Sequence, residues 1–399
     1  MTVLPRITEA QRRARLVRRH LLAPGVREKT AEAVAEALVG LHTTDPATVF
    51  LATAARMHRP SVAAIERTLY ETTAVGIPAL ERIRCMRRTM FVLPARLAPA
   101  VQSATVRDTH RHRADAMAKL HDALGWNERG YTAAEQATLA ALTARGEATA
   151  AQLAADVPAL REQIVTFPGK PYESRQRVSS TILAVLAAEG RIRRSRPAGS
   201  WTSAQFRWAP ARPLRQIPVA EAKTTLARHY LKTFGPVTAD DLKWWTGWNL
   251  SDTRKALAAT GARAVELDEG TGYLLPEDLE PAPELPESAA AILPGLDPTA
   301  MGWRHRDWYL DPDHTKALFD RNGNIGPTIW WHGRIIGAWA QRPDGHLNHH
   351  LLTDPGREAR TAVDNEITRL TAFLAGTRVT PCYRTLLERH LATANRTRC

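Results

Sequence analysis

The sequence predicts an α+β protein, mainly helical, built from tandem winged-helix motifs with a small β-rich region at its C-terminal end. Three observations carry this expectation. Apolar residues recur at helical spacing from the N-terminus to about residue 260, and twice a set of three such helices is followed by a hairpin pattern. Beyond a stretch rich in proline and acids, at 276–286, the spacing changes to short apolar runs between Gly and Pro turns. The expected domains are 1–125, winged-helix-like; 126–215, a second winged helix; 216–280, a third; and 281–399, β-rich with a closing helix.

The first helical pattern is crowded with Arg12, Arg13, Arg15, Arg18 and Arg19. A helix over 30–41 follows, with Val34, Leu38 and Leu41 on one face beside Ala31 and Ala37. It leads into His42-Thr43-Thr44-Asp45-Pro46. Pro46 pushes Asp45 out of the α region and suits the first position of a new helix carrying Val49, Phe50, Ala54 and Met57. His42, Thr44 and Asp45 are thus expected on a short break between two helices, where side chains converge. Asp before Pro is equally the signature of a helix N-cap, so the residue types alone leave Asp45 as cap or as reactive group. Farther on, Arg82, Arg84, Arg87 and Arg88 precede a strand over 89–93.

The next unit begins with Thr132-x-x-Glu135 and Thr149-x-x-Gln152, both in capping-box form. A third helix over 179–189, with Ile182, Val185 and Leu186, ends at Gly190. Arg191, Arg193, Arg194 and Arg196 then open a hairpin that turns at 197–199 and returns over 201–208, giving a winged helix whose wing carries the arginines. The same order returns as a helix over 219–234, a helix capped by Thr238-x-x-Asp241, and a third over 251–260, before strands at 263–267 and 273–275. In the last region, 328–331 and 334–339 read as a hairpin around His332-Gly333, and 358–375 as an amphipathic helix.

A chain of 399 residues with 44% hydrophobic and 24% charged residues has ordinary globular composition. Its charge is unusual: 54 Lys and Arg against 41 Asp and Glu leave a formal +13, which points to a polyanionic partner. Three arginine clusters, around Arg12 to Arg19, Arg82 to Arg88 and Arg191 to Arg196, are expected to form one basic surface for nucleic acid. No apolar run approaches the roughly 18 residues that span a bilayer, and the basic N-terminus lacks a signal-peptide core, so a cytoplasmic location is expected. Cys85, Cys382 and Cys399 are scattered, which excludes a disulfide framework and a Cys-based zinc site. His346, His349 and His350 lack metal-ligand spacing, and His305-Arg306-Asp307 copies a kinase triplet without any glycine-rich phosphate loop. Trp244, Trp245 and Trp248 read as core or a domain contact, with one indole also able to stack on DNA.

Several motifs carry a resemblance. Arg228-His229-Tyr230-Leu231, Phe234-Gly235-Pro236-Val237-Thr238-x-x-Asp241 and Trp245-Thr246-Gly247 are followed by Leu293-Pro294-Gly295-Leu296-Asp297-Pro298, Gly302, Arg306 and Gly333-Arg334-Ile335-Ile336-Gly337-x-Trp339. Together they resemble the winged-helix DNA-binding family of AlkZ- and YcaQ-type DNA glycosylases, over most of the chain. The resemblance implies tandem winged helices and a small β-domain curled around duplex DNA. It also implies excision of N7-alkylated purines and unhooking of bulky adducts or interstrand crosslinks made by genotoxic natural products.

The family's reactive triplet, Gln, an apolar residue, then Gln or Asp, aligns with the stretch before Asp45. His42 stands in the first glutamine's place, Thr43 in the middle and Thr44 in the second catalytic place. A His and a Thr can both hold a water, and an adjacent carboxylate can polarise it. The implied roles are Asp45 as electrostatic stabiliser or base, His42 as water ligand or base, and Thr44 as hydrogen-bonding positioner. No lysine lies in this stretch, so a monofunctional hydrolase without a Schiff base is expected. The expected DNA contacts are Arg12, Arg15, Arg19, Arg87, Arg88, Arg191, Arg193, Arg194 and Arg196. The expected state is a monomer acting on double-stranded DNA that carries alkylated purines, without metal, nucleotide or other cofactor, and without a membrane. The competing reading is a catalytically silent winged-helix DNA-binding protein, such as a transcription regulator, in which 42–45 are structural.

Overall fold

A computed structural model describes residues 4–72, 76–167, 169–170, 173–280 and 284–393. The chain forms two compact units. One comprises Met1–Glu81, Val92–Ala95 and Lys223–Cys399; the other comprises Arg82–Phe91 and Arg96–Ala222.

In the first unit, Thr8 and Gln11 cap helix Glu9–Arg19 reciprocally, and Thr30 caps helix Ala31–Ala37. The helix expected over 30–41 therefore ends four residues early. Val39 has a φ of +63°, and Leu41–His42 is a short strand in a three-stranded sheet of order Leu41–His42, Met90–Pro94, Leu80–Arg84. Gly40 permits the change: a Cβ there would lie 3.0 Å from the Val92 carbonyl oxygen and against the Leu93 side chain, so only glycine lets the chain approach that strand this closely. Helix Pro46–Arg56 follows with Asp45 as its N-cap, and every one of its residues is buried.

Helices Val219–Phe234, Ala239–Thr246 and Leu250–Ala259 precede strands Arg263–Leu267 and Gly270–Leu274, which form a sheet with Val237–Thr238. The capping box at Thr238 and Asp241 forms as expected. The hairpin is tighter than expected, with Leu267 paired to Gly270 across Asp268 and Glu269. The β-rich region is a four-stranded antiparallel sheet of order Ala290–Leu293, Thr328–Trp331, Arg334–Gln341, Leu347–Leu351. Its Trp331-to-Arg334 turn places His332 and Gly333 at φ of +46° and +76°, the left-handed pair that a two-residue hairpin loop needs. Helices Gly356–Leu374 and Leu386–Thr393 pack on this sheet.

The second unit repeats the helical plan. Helices Glu128–Arg145, Ala150–Asp156 and Val178–Ala188 accompany a sheet of order Ala148–Thr149, Phe206–Pro210, Ile192–Pro197. Thr149 and Gln152 form the expected capping box, and Gly190 is left-handed past the third helix. Two boundaries differ from expectation. Thr132 lies inside a helix because Asn127 caps it earlier, accepting from the Gly130 amide at 2.9 Å. The returning hairpin strand begins at Phe206 rather than 201, and Trp201, before it, is buried. Leu120, Tyr131, Leu142, Leu153, Ile182, Leu186 and Ile192 form the core, joined by helix Val106–Leu124.

Candidate functional site

In the first unit, the break predicted between two helices exists, and its side chains point inward. His42 is 6% exposed, Thr43 fully buried, Thr44 half-buried and Asp45 5% exposed. The hydroxyls of Thr43 and Thr44 have no hydrogen-bond partner among the described residues. Asp45 is held at both oxygens. Oδ1 accepts from the Ala47 amide at 3.0 Å, and Oδ2 from the Cys382 amide at 2.8 Å. Burial pushes the Asp45 carboxyl above the usual carboxylate range, opposed by the amides of Cys382 and Ala47. It also raises the Cys382 thiol to about 11, with Asp45 adding to the shift. The space beside Asp45 is narrow and mostly apolar, bounded by Leu51, Pro294, Trp339 and Pro381. The sequence presents Cys382 only as a scattered thiol, because nothing local signals a contact with Asp45 337 residues away.

The helix that starts at this break is fastened along its length. Thr48 donates to the Gly295 carbonyl at 3.0 Å. At the other end Arg56, fully buried, makes a bidentate pair with Asp297 at 2.7 and 2.8 Å and donates to Thr299 Oγ1 and the His20 carbonyl. The Leu293-Pro294-Gly295-Leu296-Asp297 motif is thus the clamp for this helix. Other motifs have similar structural work. Asp241 accepts from the amides of Arg304 and His305, so the kinase-like triplet is a cap contact. Tyr230 donates to the Gly302 carbonyl, and Trp339 to that of Leu293. Trp245 and Trp248 are buried, whereas Trp244 lies under the Arg306 guanidinium at 4.9 Å.

Arg12 and Arg15 of the first arginine cluster are buried and Arg13, Arg18 and Arg19 half-buried, a placement that differs from the basic surface expected of them. Arg12, 3% exposed, pairs with Glu269 at 2.5 Å and stacks over Trp308. Arg15 is 6% exposed and donates to the Glu280 carbonyl, while Arg19 bonds Asp278 and the Gly235 carbonyl. One face of helix Glu9–Arg19 must be buried, and here that face carries the arginines.

In the second unit, the other two clusters come together. Arg82 donates to the Ser195 carbonyl and lies over Phe206, tying the second cluster to the hairpin of the third. Arg84, Arg88 and Arg194 line one open cleft of about 730 Å³ with His112, Lys119, Gln176 and Phe206. Arg88 pairs with Asp115 at 2.9 Å and Asp108 at 3.5 Å, and Arg194 stacks over Phe206 at 4.4 Å. Arg87 is half-buried, with a left-handed φ of +51°. Arg191 lies 3.5 Å from Glu135 and 3.7 Å from Glu189; farther along the hairpin Arg193 is half-buried and Arg196 exposed. His112, Asp115 and Lys119 went unnoticed in the sequence, although their spacing puts them on one face of helix Val106–Leu124.

Repeated groups of three helices and a hairpin, one of them edged with arginine, together with a separate four-stranded sheet, define an α+β protein of modular, hairpin-bearing type. A family model described as "DNA glycosylase AlkZ-like" matches residues 35–373, and the chain belongs to that family. An interstrand DNA cross-link repair glycosylase of Streptomyces sahachiroi is 30% identical over 126 residues, which is 30% of this chain and 34% of that protein. The matched segment therefore spans about a third of the curated relative. The fold is similar to that of the Streptomyces sahachiroi DNA glycosylase AlkZ, with a TM-score of 0.70 and 19% identity over 92% of this chain and 97% of the other.

Proposed function

We propose that this chain is a monofunctional DNA glycosylase that hydrolyses the N-glycosidic bond of bulky N7-alkylated purines. Its substrates would be adducts or interstrand crosslinks of genotoxic natural products, and its setting DNA repair or self-resistance. The observation that carries this reading is family membership along 35–373, with the polar break at 42–45 falling inside the matched span. Alkylation at N7 makes the purine cationic, so the base leaves without a strong general acid, and positive charge gathers on the sugar. A carboxylate close to that charge stabilises it. In this reading His42 and the Thr44 hydroxyl hold the attacking water, and Asp45 acts through its charge rather than by proton transfer. Both of its oxygens already accept backbone amides. The DNA-facing arginines are Arg87, Arg88, Arg191, Arg193, Arg194 and Arg196. The protein acts as a monomer in the cytoplasm, without nucleotide or metal.

The test is single-turnover incubation with duplex DNA containing N7-alkylguanine, read as abasic sites, beside a thermal melt. His42→Ala and Thr44→Ala are expected to slow excision at least about tenfold. Asp45→Asn is expected to lose stability as well as rate, because an amide has one acceptor oxygen where the carboxylate uses two. The orphaned amide costs roughly 1–3 kcal/mol. Rates are therefore compared per folded molecule. A second reading, a non-catalytic DNA-binding protein, draws support from this double capping of Asp45. Duplex binding without any abasic product from wild type would establish it.

A further inference from the structure

The cleft of the second unit has an imbalance that packing does not explain. Three elements present cations to it: the strand ending at Arg84, the turn holding Arg88, and helix Val106–Leu124 with Lys119 beside the imidazole of His112; Arg194 of the hairpin adds a fourth face. Asp108 and Asp115 are the carboxylates near His112, and both lie against Arg88. Arg84 has no ion-pair partner among the described residues, and its Nε and the His112 Nδ1 are buried without a hydrogen bond. Lys119 has Gln176 Oε1 at 2.7 Å and no carboxylate partner among the described residues. Burial, then the neighbouring Arg84 and Arg88, hold His112 down at about 4, and Arg84 is itself lowered by burial and by Arg88. Like charges are thus gathered in an open cleft with few anions to neutralise them. Such an arrangement costs stability in the free protein and is relieved by an anionic ligand.

We propose that this cleft binds phosphates of one DNA strand, with Arg84 and Lys119 as phosphate contacts and His112 taking up a proton on binding. The inference rests on the DNA glycosylase reading and adds a strand-binding site and its pH dependence. The cations are spread around the walls rather than converging on one point, which suits successive phosphates of a chain better than one free anion. At about 730 Å³ the cleft is within the roughly 300–1,000 Å³ range of sites that enclose organic ligands. Phosphate beside His112 offsets the field of Arg84 and Arg88 and favours the imidazolium. The bound form therefore has the higher His112 pKa, and affinity rises as pH falls.

The test uses undamaged fluorescent single strand and duplex, the full chain, and anisotropy over a salt series at pH 8 and pH 5.5, with inorganic phosphate in a separate arm. Undamaged DNA keeps the result independent of excision. Lys119→Gln and Arg84→Gln are each expected to weaken binding and reduce the slope of log affinity against log salt by about one. Wild type is expected to bind at least about threefold tighter at pH 5.5 than His112→Gln does, with the two converging at pH 8. Arg84→Gln should melt no lower than wild type, and Lys119→Gln, at a partly exposed position, keeps the test open if it does. Unchanged salt slopes in both variants, an undiminished pH effect in His112→Gln, or saturable binding of inorganic phosphate that no strand displaces would each overturn the proposal. If wild type binds no DNA at all, the glycosylase reading itself falls.

Discussion

The two units use arginine in opposite ways. In the first, Arg12, Arg15 and Arg56 are packed inside, Arg19 is half-buried, and each has a specific acceptor, from the bidentate Asp297 pair to the Glu280 carbonyl. In the second, Arg84, Arg88 and Arg194 border an open cleft in which cations exceed carboxylates. Clustering on the sequence is the same in both. The difference lies in whether a partner is supplied by the fold, because burying a guanidinium with no counter-charge or acceptor is costly. A basic composition therefore overstates the surface available to DNA: part of the excess stabilises the protein.

That contrast can be broken in three ways. The largest effect is expected for Arg56→Ala, which leaves the buried Asp297 carboxylate unpaired; chemical denaturation should show a loss of about 3–5 kcal/mol. A loss below about 1 kcal/mol would mean that this pair contributes little to the clamp. Arg12→Ala removes a partly buried pair and a stacked cation and should cost about 1–3 kcal/mol while leaving the salt slope of DNA binding unchanged. A slope reduced by one would return Arg12 to the interface. Joint replacement of Arg193 and Arg194 by Ala should reverse the pattern. Duplex affinity falls with little dependence on base sequence, the slope shrinks by about one per lost contact, and stability moves only slightly.

The smallest expected effects concern the reaction site. Because burial raises the folded Asp45 carboxyl above its unfolded value, the folded state binds the extra proton. Its stabilising contribution is then present at low pH and is lost as pH rises through the folded value. Wild type should thus gain stability relative to Asp45→Asn as pH is lowered from 7 toward 4, seen as a widening difference in melting temperature. A constant difference would mean that Asp45 titrates as an ordinary exposed carboxylate. Excision should continue in EDTA, since the cationic leaving group supplies the activation that a metal would otherwise provide. Loss on chelation, restored by one metal, would point back to the histidines.

Local signals in the sequence determined most of the elements. The capping boxes at Thr149 and Thr238, the Asp45-Pro46 helix start and the His332-Gly333 turn depend on residues a few positions apart, so their chemistry is readable in order along the chain. The same information separates three-helix groups from the β-rich region and marks 42–45 as a polar break. Contacts between distant residues were decided only by the tertiary structure. Gly40 packs against Val92 just before a strand, where periodicity would have continued a helix. The amide of Cys382 occupied the second oxygen of Asp45. Asp297 reached Arg56, and Glu269 reached Arg12, turning residues that look solvent-facing into interior ones. Charge on a sequence has a sign but no environment. Burial, partner and dielectric are properties of the packed chain, and they separate an arginine that holds the fold together from one that is open to a phosphate.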